Sequence, residues 1–285
     1  MVATDDIINA LEAASGVTLT GLTTEGSTVT VNGNPAVVSG TTWSYVLDSA
    51  AIAAMGEGSE VITVIGTDSA NNSVTSTKTI MIDTLAPTGL TINTVSLNDA
   101  INAAEKAAGA AITGTAEAGA IVTLTIGANK YKITADTSGN WSHTLAAIDY
   151  TAMAEGPETI TATATDAAGN PSTVVSHAIT IDTAAPLLAS FVLATASDSG
   201  TLSDGISDVA APNFTVTAEA GSALEMKIGT GTFASVGTGT GSTQTITAPT
   251  MTEGLNVVVL RATDAAGNVT ERTLNYTLDT TAPAA

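Results

Sequence analysis

The seven residues ATDAAGN occur at Ala164–Asn170 and again, unchanged, at Ala262–Asn268, and a variant, GTDSANN, lies at Gly66–Asn72. The side chain able to do chemistry in each is the aspartate: Asp68, Asp166 and Asp264. One such turn reads as local structure, because Asp bonds its own backbone and Gly-Asn tolerates positive φ. Three in phase, in a chain with 27 acidic and 7 basic residues, point to carboxylates gathered around a hard cation. Ca2+ takes about 6–8 oxygens from carboxylates, carbonyls and Asn side chains, whereas Mg2+ prefers a tighter octahedral shell with retained waters. Zinc would want His or Cys; the chain has no cysteine, and its two histidines, His143 and His177, fall in expected strands.

The turns belong to a longer period. Asp68, Asp166 and Asp264 are separated by two intervals of 98 residues, and the words MGEG (Met55–Gly58), MAEG (Met153–Gly156) and MTEG (Met251–Gly254) keep the same spacing. Trp43 and Trp141 are also 98 apart. A closing word follows in each copy: IDTLAP (Ile82–Pro87), IDTAAP (Ile181–Pro186) and LDTTAP (Leu278–Pro283). An opening word precedes: DIIN (Asp6–Asn9), DAIN (Asp99–Asn102) and DGIS (Asp204–Ser207). A unit of this length is an independent domain, not a solenoid repeat. Pro ends a strand and stiffens the linker after it, so the boundaries fall at the closing words, giving domains 1–86, 87–185 and 186–285.

The elements that must position the turns are strands. Thr, Val and Ile are frequent, and Gly, Asn, Asp and Ser punctuate them. In the second unit, strands are expected over 110–117, 120–127, 130–136, 140–146, 158–166 and 172–182, with a short first strand near 100–103. INAAEKAAG reads as a short helical turn. About seven strands with regular turns suggest an immunoglobulin-like sandwich. The fold expected is all-β: three tandem immunoglobulin-like β-sandwiches forming an elongated rod of roughly 110–130 Å at about 3.3 Å per strand residue. Trp43 and Trp141, at strand starts, are expected to plug the core between sheets. Thr spacing is too irregular for an ice-binding array.

Following the chain through such a sandwich places the turn before the last strand at the N-terminal end of its domain. Asp166, Glu117, Asp99 and Asn102 would then meet Asp83 arriving from the preceding domain. Asp264, Glu219, Asp204 and Asp198 would meet Asp182. Asp6 and Asp68 would form a half-site, and Asp279 would be an orphan. Two carboxylates about 4 Å apart repel by roughly 1–4 kcal/mol, which a bound Ca2+ would remove. Glu57, Glu155 and Glu253 read mainly as loop residues at the opposite end, the alternative being that they join the next junction.

The net charge of −20 argues against nucleic-acid and anionic-membrane partners, which need Lys and Arg. Without cysteine there are no disulfides. No apolar run approaches a membrane span of about 18 residues, and Met1 runs into VATDDIINALEA without a signal-peptide pattern. Neither a thiol nor a Ser–His mechanism is supported. Paired carboxylates cleave glycosides, but these pairs lie at domain ends. No enzyme activity is expected.

NDAINAAE, GTAEAGA, GNWSHTL, ATATDAAGN and IDTAAP, in that order, resemble the bacterial immunoglobulin-like tandem repeats of large surface adhesins of the biofilm-associated and repeats-in-toxin kind. The resemblance covers all three units. The third departs from it: it lacks the Trp and carries GTGTFASVGTGTGSTQ. The resemblance implies calcium between domains and an extracellular, outer-membrane-anchored protein. It implies a monomeric extender whose partners are its own neighbouring repeats, and which projects a distal binding region for cell adhesion and biofilm formation. The alternative is a carbohydrate- or host-surface-binding module, with the divergent third domain as the binder.

Overall fold

The computed structural model describes residues 5–283; the start at Met1 lies outside them. Contacts divide the chain into two compact units: Met1–Asn93 with Ile112–His143 and Thr159–His177, and Thr94–Ala111 with Thr144–Glu158 and Ala178–Ala285. The first sequence repeat therefore lies in unit one, the third in unit two, and the second contributes to both.

The first repeat runs β1 (Ile7–Ile8), α1 (Ala10–Ser15), β2 (Val17–Leu22), β3 (Thr28–Val31), β4 (Asn34–Pro35), β5 (Val37–Ser39), β6 (Thr42–Leu47), α2 (Ser49–Met55), β7 (Gly58–Thr67) and β8 (Ser73–Ile82). The second runs β9 (Ala100–Ile101), α3 (Ala103–Ala108), β10 (Ala111–Thr115), β11 (Ile121–Ile126), β12 (Asn129–Thr134), β13 (Asn140–Thr144), α4 (Ala147–Ala152), β14 (Gly156–Thr165) and β15 (Val175–Ile181). The third runs β16 (Leu188–Leu193), β17 (Ile206–Ser207), β18 (Asn213–Ala218), β19 (Ala223–Ile228), β20 (Ala234–Thr238), β21 (Thr243–Thr247), β22 (Gly254–Thr263) and β23 (Val269–Leu278). The chain is all-β, as its composition implies.

In unit one, the first repeat forms a five-stranded sheet in the order β1-β8-β7-β3-β4 and a three-stranded sheet in the order β2-β6-β5. Alternation places Ile62, Ile80 and Ile82 of the larger sheet and Leu19 and Leu47 of the smaller one in a shared core. From the second repeat, β11 pairs antiparallel with both β12 and β14. Val122, Leu124 and Ile126 are fully buried while Ile121 is exposed, the pattern of a one-sided strand. Trp141 is 3% exposed, and its indole N–H donates to the Thr115 carbonyl at 3.0 Å. The expected core plug is therefore present there, whereas Trp43 is only half-buried.

In unit two, the third repeat forms sheets β16-β18-β21 and β17-β23-β22-β19-β20. Phe191, Phe214 and Tyr276 fill its core, with Phe191 and Phe214 ring centres 5.0 Å apart. The buried Tyr276 hydroxyl donates to the Val209 carbonyl at 2.5 Å.

One placement differs from the sequence reading. The opening words form two-residue strands parallel to the last strand of their own repeat: Ile8 beside Ile82, Ile101 beside Ile181, and Ser207 beside Leu278. Each opening word therefore lies at the foot of its repeat, next to the closing word, rather than at the head. A chain-direction argument fails here because, in the second and third repeats, the segment before the opening word lies along β10 or β18, and the opening word then turns alongside the exit.

Candidate functional site

The recurrent words converge at the feet and heads of repeats. The ATDAAGN turn is built by its own aspartate. In the second repeat the Asp166 carboxylate accepts from the Asn170 main-chain N–H at 2.9 Å and from its Nδ2 at 3.0 Å. Asp264 and Asn268 repeat this at 2.9 and 3.0 Å, as do Asp68 and Asn72. The side-chain donation from Asn72, then its main-chain N–H, holds the Asp68 carboxyl below its usual range.

The asparagine then reaches out of its turn. Asn170 Nδ2 donates to the Asp83 carbonyl at 2.8 Å, and Asn170 Oδ1 accepts from the Ala10 N–H at 2.8 Å. Asn9 caps α1 with its Oδ1 while its Nδ2 donates to the Ala168 carbonyl. The same contacts recur in unit two. Asn268 Nδ2 donates to the Asp182 carbonyl at 2.8 Å, Asn268 Oδ1 accepts from Ala103 N–H at 2.9 Å, and Asn102 Nδ2 donates to the Ala266 carbonyl at 3.0 Å. Thus the turns of the second and third repeats are each stapled to the closing word and the capped helix of the preceding repeat. Asn170 and Asn268 are buried, at 2% and 6% exposure, whereas Asn72, whose turn faces no described repeat, is exposed. Buried amides need such partners, and losing one leaves its desolvation cost uncompensated.

The glutamates of the MxEG words have a role that the sequence reading missed. Glu57 accepts from the N–H and hydroxyl of Thr84; Glu155 does the same with Thr183, and Glu253 with Thr280. Each clamps the threonine of its closing word. Thr183, first through its hydroxyl and then its N–H, pulls the Glu155 carboxyl below its usual range, with Lys106 at 3.7 Å adding to this. The Thr280 hydroxyl does the same for Glu253. Their common interval of 98 residues with the turns was the available signal.

The acidic residues expected at the metal sites are distributed as follows. Asp83 and Asp182 lie at the feet, where each side chain accepts from the N–H two residues on. Asp166 and Asp264 lie in the stapled turns facing them. Asp99 accepts from Val95 N–H, and Asn102 caps α3. Both stand beside Asp182, not Asp83, because β9 pairs with β15. The expected sharing of Asp99 with Asp83 and Asp166 is corrected accordingly, and Asp6 is the residue of that type at the first foot. Asp6 pairs with Lys78 at 2.6 Å. Asp204 accepts from Ile206 N–H and stands by Asp279 rather than Asp182, since Ile206 and Ser207 pair with Thr277 and Leu278. Asp279 accepts from Thr281 N–H. Glu117 is exposed. Glu219 accepts from Leu187 N–H, and Asp198 from Ser203 N–H. Among the described residues, no group of three or more His, Cys, Asp or Glu stands close enough to hold a metal ion.

No curated protein matches the chain. Solved structures do. A Ca2+-stabilised adhesin by which an Antarctic bacterium reaches out and binds ice is 28% identical over 98% of this chain and 72% of that one, with a TM-score of 0.47. A bacterial Ig-like domain from the M. primoryensis ice-binding adhesin is 32% identical over 34% of this chain and all of that one, with a TM-score of 0.27. A 1.5-MDa bacterial ice-binding adhesin is 22% identical over 97% of this chain and 94% of that one, with a TM-score of 0.47. The family model described as bacterial Ig-like domain matches residues 98–183 and 187–280. With opening word and stapled turn inside both matched stretches and the closing word at the end of each, the chain belongs to the bacterial Ig-like domain family.

Proposed function

We propose that this chain is an extender segment of a bacterial surface adhesin, made of three Ig-like domains with boundaries near 86 and 185, which holds a distal binding region away from the cell in adhesion and biofilm formation. The observation that carries this is the staple. The same three contacts join turn, closing word and capped helix twice, as a device for setting one repeat on the next requires. In this reading the protein is extracellular, its partners are its own neighbouring repeats, and it has no catalytic activity. No helix among the described residues is long and apolar enough to cross a membrane.

Calcium belongs to the same proposal. Each junction offers only oxygen donors: the closing aspartate (Asp83 or Asp182), the turn aspartate (Asp166 or Asp264) and main-chain carbonyls. That chemistry fits a hard cation and not zinc. A bound ion would neutralise facing carboxylates; the asparagine staple holds the junction in either case. A cation that binds only the folded state stabilises it by about 2.7 kcal/mol at 100-fold excess over Kd.

Small-angle scattering of the chain and of an Asn170→Ala, Asn268→Ala double variant, each with and without calcium, tests the reading. The extender role predicts that the double variant samples a broader range of end-to-end distances than the parent. Identical distance distributions in the two proteins would overturn it.

A further inference from the structure

Among the described residues, the first repeat has an open cleft where its two sister repeats carry an extended segment. In the second repeat, the segment after the closing word runs along β10. Thr91 N–H donates to the Thr115 carbonyl and Asn93 N–H to the Thr113 carbonyl, both at 2.8 Å, and Ile92 and Val95 are buried. In the third repeat the same segment is β16, paired with β18 from Leu188 to Leu193, with Leu188 and Phe191 buried. It also touches the opposite sheet, since Arg272 of β23 donates to the Leu188 carbonyl at 2.6 Å. A single segment thus covers the edge of β10 in the second repeat and of β18 in the third, where it also reaches the opposite sheet.

In the first repeat the counterpart of β10 is β2, identified by Gly21, which lies against Trp43 as Gly114 lies against Trp141. There β2 is an edge strand with β6 as its one described neighbour. Beside it lies a cleft of about 780 Å³, lined on one side by Leu19, Leu22 and Trp43 and on the other by Val64 and Val74. Leu22 and Val74 are 81% and 70% exposed. Trp43 is only half-buried, whereas Trp141, beside the segment that runs along β10, is buried. An edge strand with apolar side chains beside an open cleft is the geometry that receives an added strand.

We propose that this cleft is a strand-accepting groove whose occupant is an extended, uncharged segment of the kind that follows a closing word, with apolar residues spaced as Leu90, Ile92 and Val95. Main-chain N–H groups of the occupant donate to the carbonyls of Thr20 and Leu22, which correspond to Thr113 and Thr115. Its apolar side chains cover Trp43. The register is legible in the sequence: Val2 stands four residues before Asp6, as Val95 stands four before Asp99.

The test joins the seven residues of Pro87–Asn93 directly ahead of Met1 in the full chain, so that this register is kept. A second version carries Asp at the positions of Leu90 and Ile92 in the added segment. Acrylamide quenching reads the exposed fraction of tryptophan emission, and amide exchange reads Gly21 and Leu22. The groove requires Trp43 to become as protected as Trp141, and exchange at β2 to slow, in the first version and not in the second. If neither measurement changes on extension, or if both versions protect equally, the cleft is not a strand acceptor.

Discussion

The Asn170 carboxamide donates to the Asp83 carbonyl at 2.8 Å, joining residues 87 positions apart, and Asn268 makes the matching bond to Asp182 at 2.8 Å. The aspartates make each turn, but the asparagines join one repeat to the next.

Asn170→Ala removes two donations and one acceptance at a buried site. It leaves the Ala10 N–H and the Asp83 carbonyl without their partner. The expected loss is about 1–3 kcal/mol, localised to the first junction. Hydrogen exchange should speed at Ala10 while the second repeat's core amides are unchanged. Asn268→Ala should act in the same way at Ala103.

The Glu155–Thr183 clamp is pH-dependent. Thr183 holds the Glu155 carboxyl below the ordinary value of 4.5, so the unfolded state takes up its proton first as pH falls. The clamp's contribution is full above that ordinary value and is lost as pH drops through the lower folded one. An NMR titration following the Thr183 amide should show this loss, and Glu155→Gln should abolish the titration there. Glu253, lowered by Thr280, should behave alike at Thr280.

Trp141→Ala should cost about 3–5 kcal/mol, the range for truncating a buried large aromatic. Trp43→Ala should cost less, because Trp43 is only half-buried. Urea unfolding of the two variants compares them directly.

Isothermal calorimetry with calcium should show uptake that falls when Asp166→Ala or Asp264→Ala is introduced. Asp99→Ala should spare the first junction and act, if anywhere, at the second, where its opening word lies. Heat of binding unchanged by both turn substitutions would remove these residues from any calcium site.

Much of this was legible in sequence because it is periodic. The strands of the second repeat lie within a few residues of their expected spans, and INAAEKAAG does form the short helix α3, with Asn102 and Glu105 as its capping box. The opening word was misplaced because a strand of two residues, such as Ala100–Ile101, has no alternation from which to read direction. The staples were missed for a different reason. Charge drew attention to Asp166 and Asp264, whereas an amide that donates and accepts at once suits a junction made of main-chain groups. The clamps of Glu57, Glu155 and Glu253 were missed because the partner of each, a threonine 27 or 28 positions on, carries no charge to mark it.

The parallel pairing of Ile101 with Ile181 also sets an order of assembly. Eighty residues separate these partners, so the sandwich cannot lock its first short strand until its last has emerged. Non-local closures of this kind form late and slowly. The Asn268 staple needs the foot so completed and the head of the third repeat as well. A chain delivered from its N-terminus would therefore finish one repeat, wait for most of the next, and only then fasten the two together.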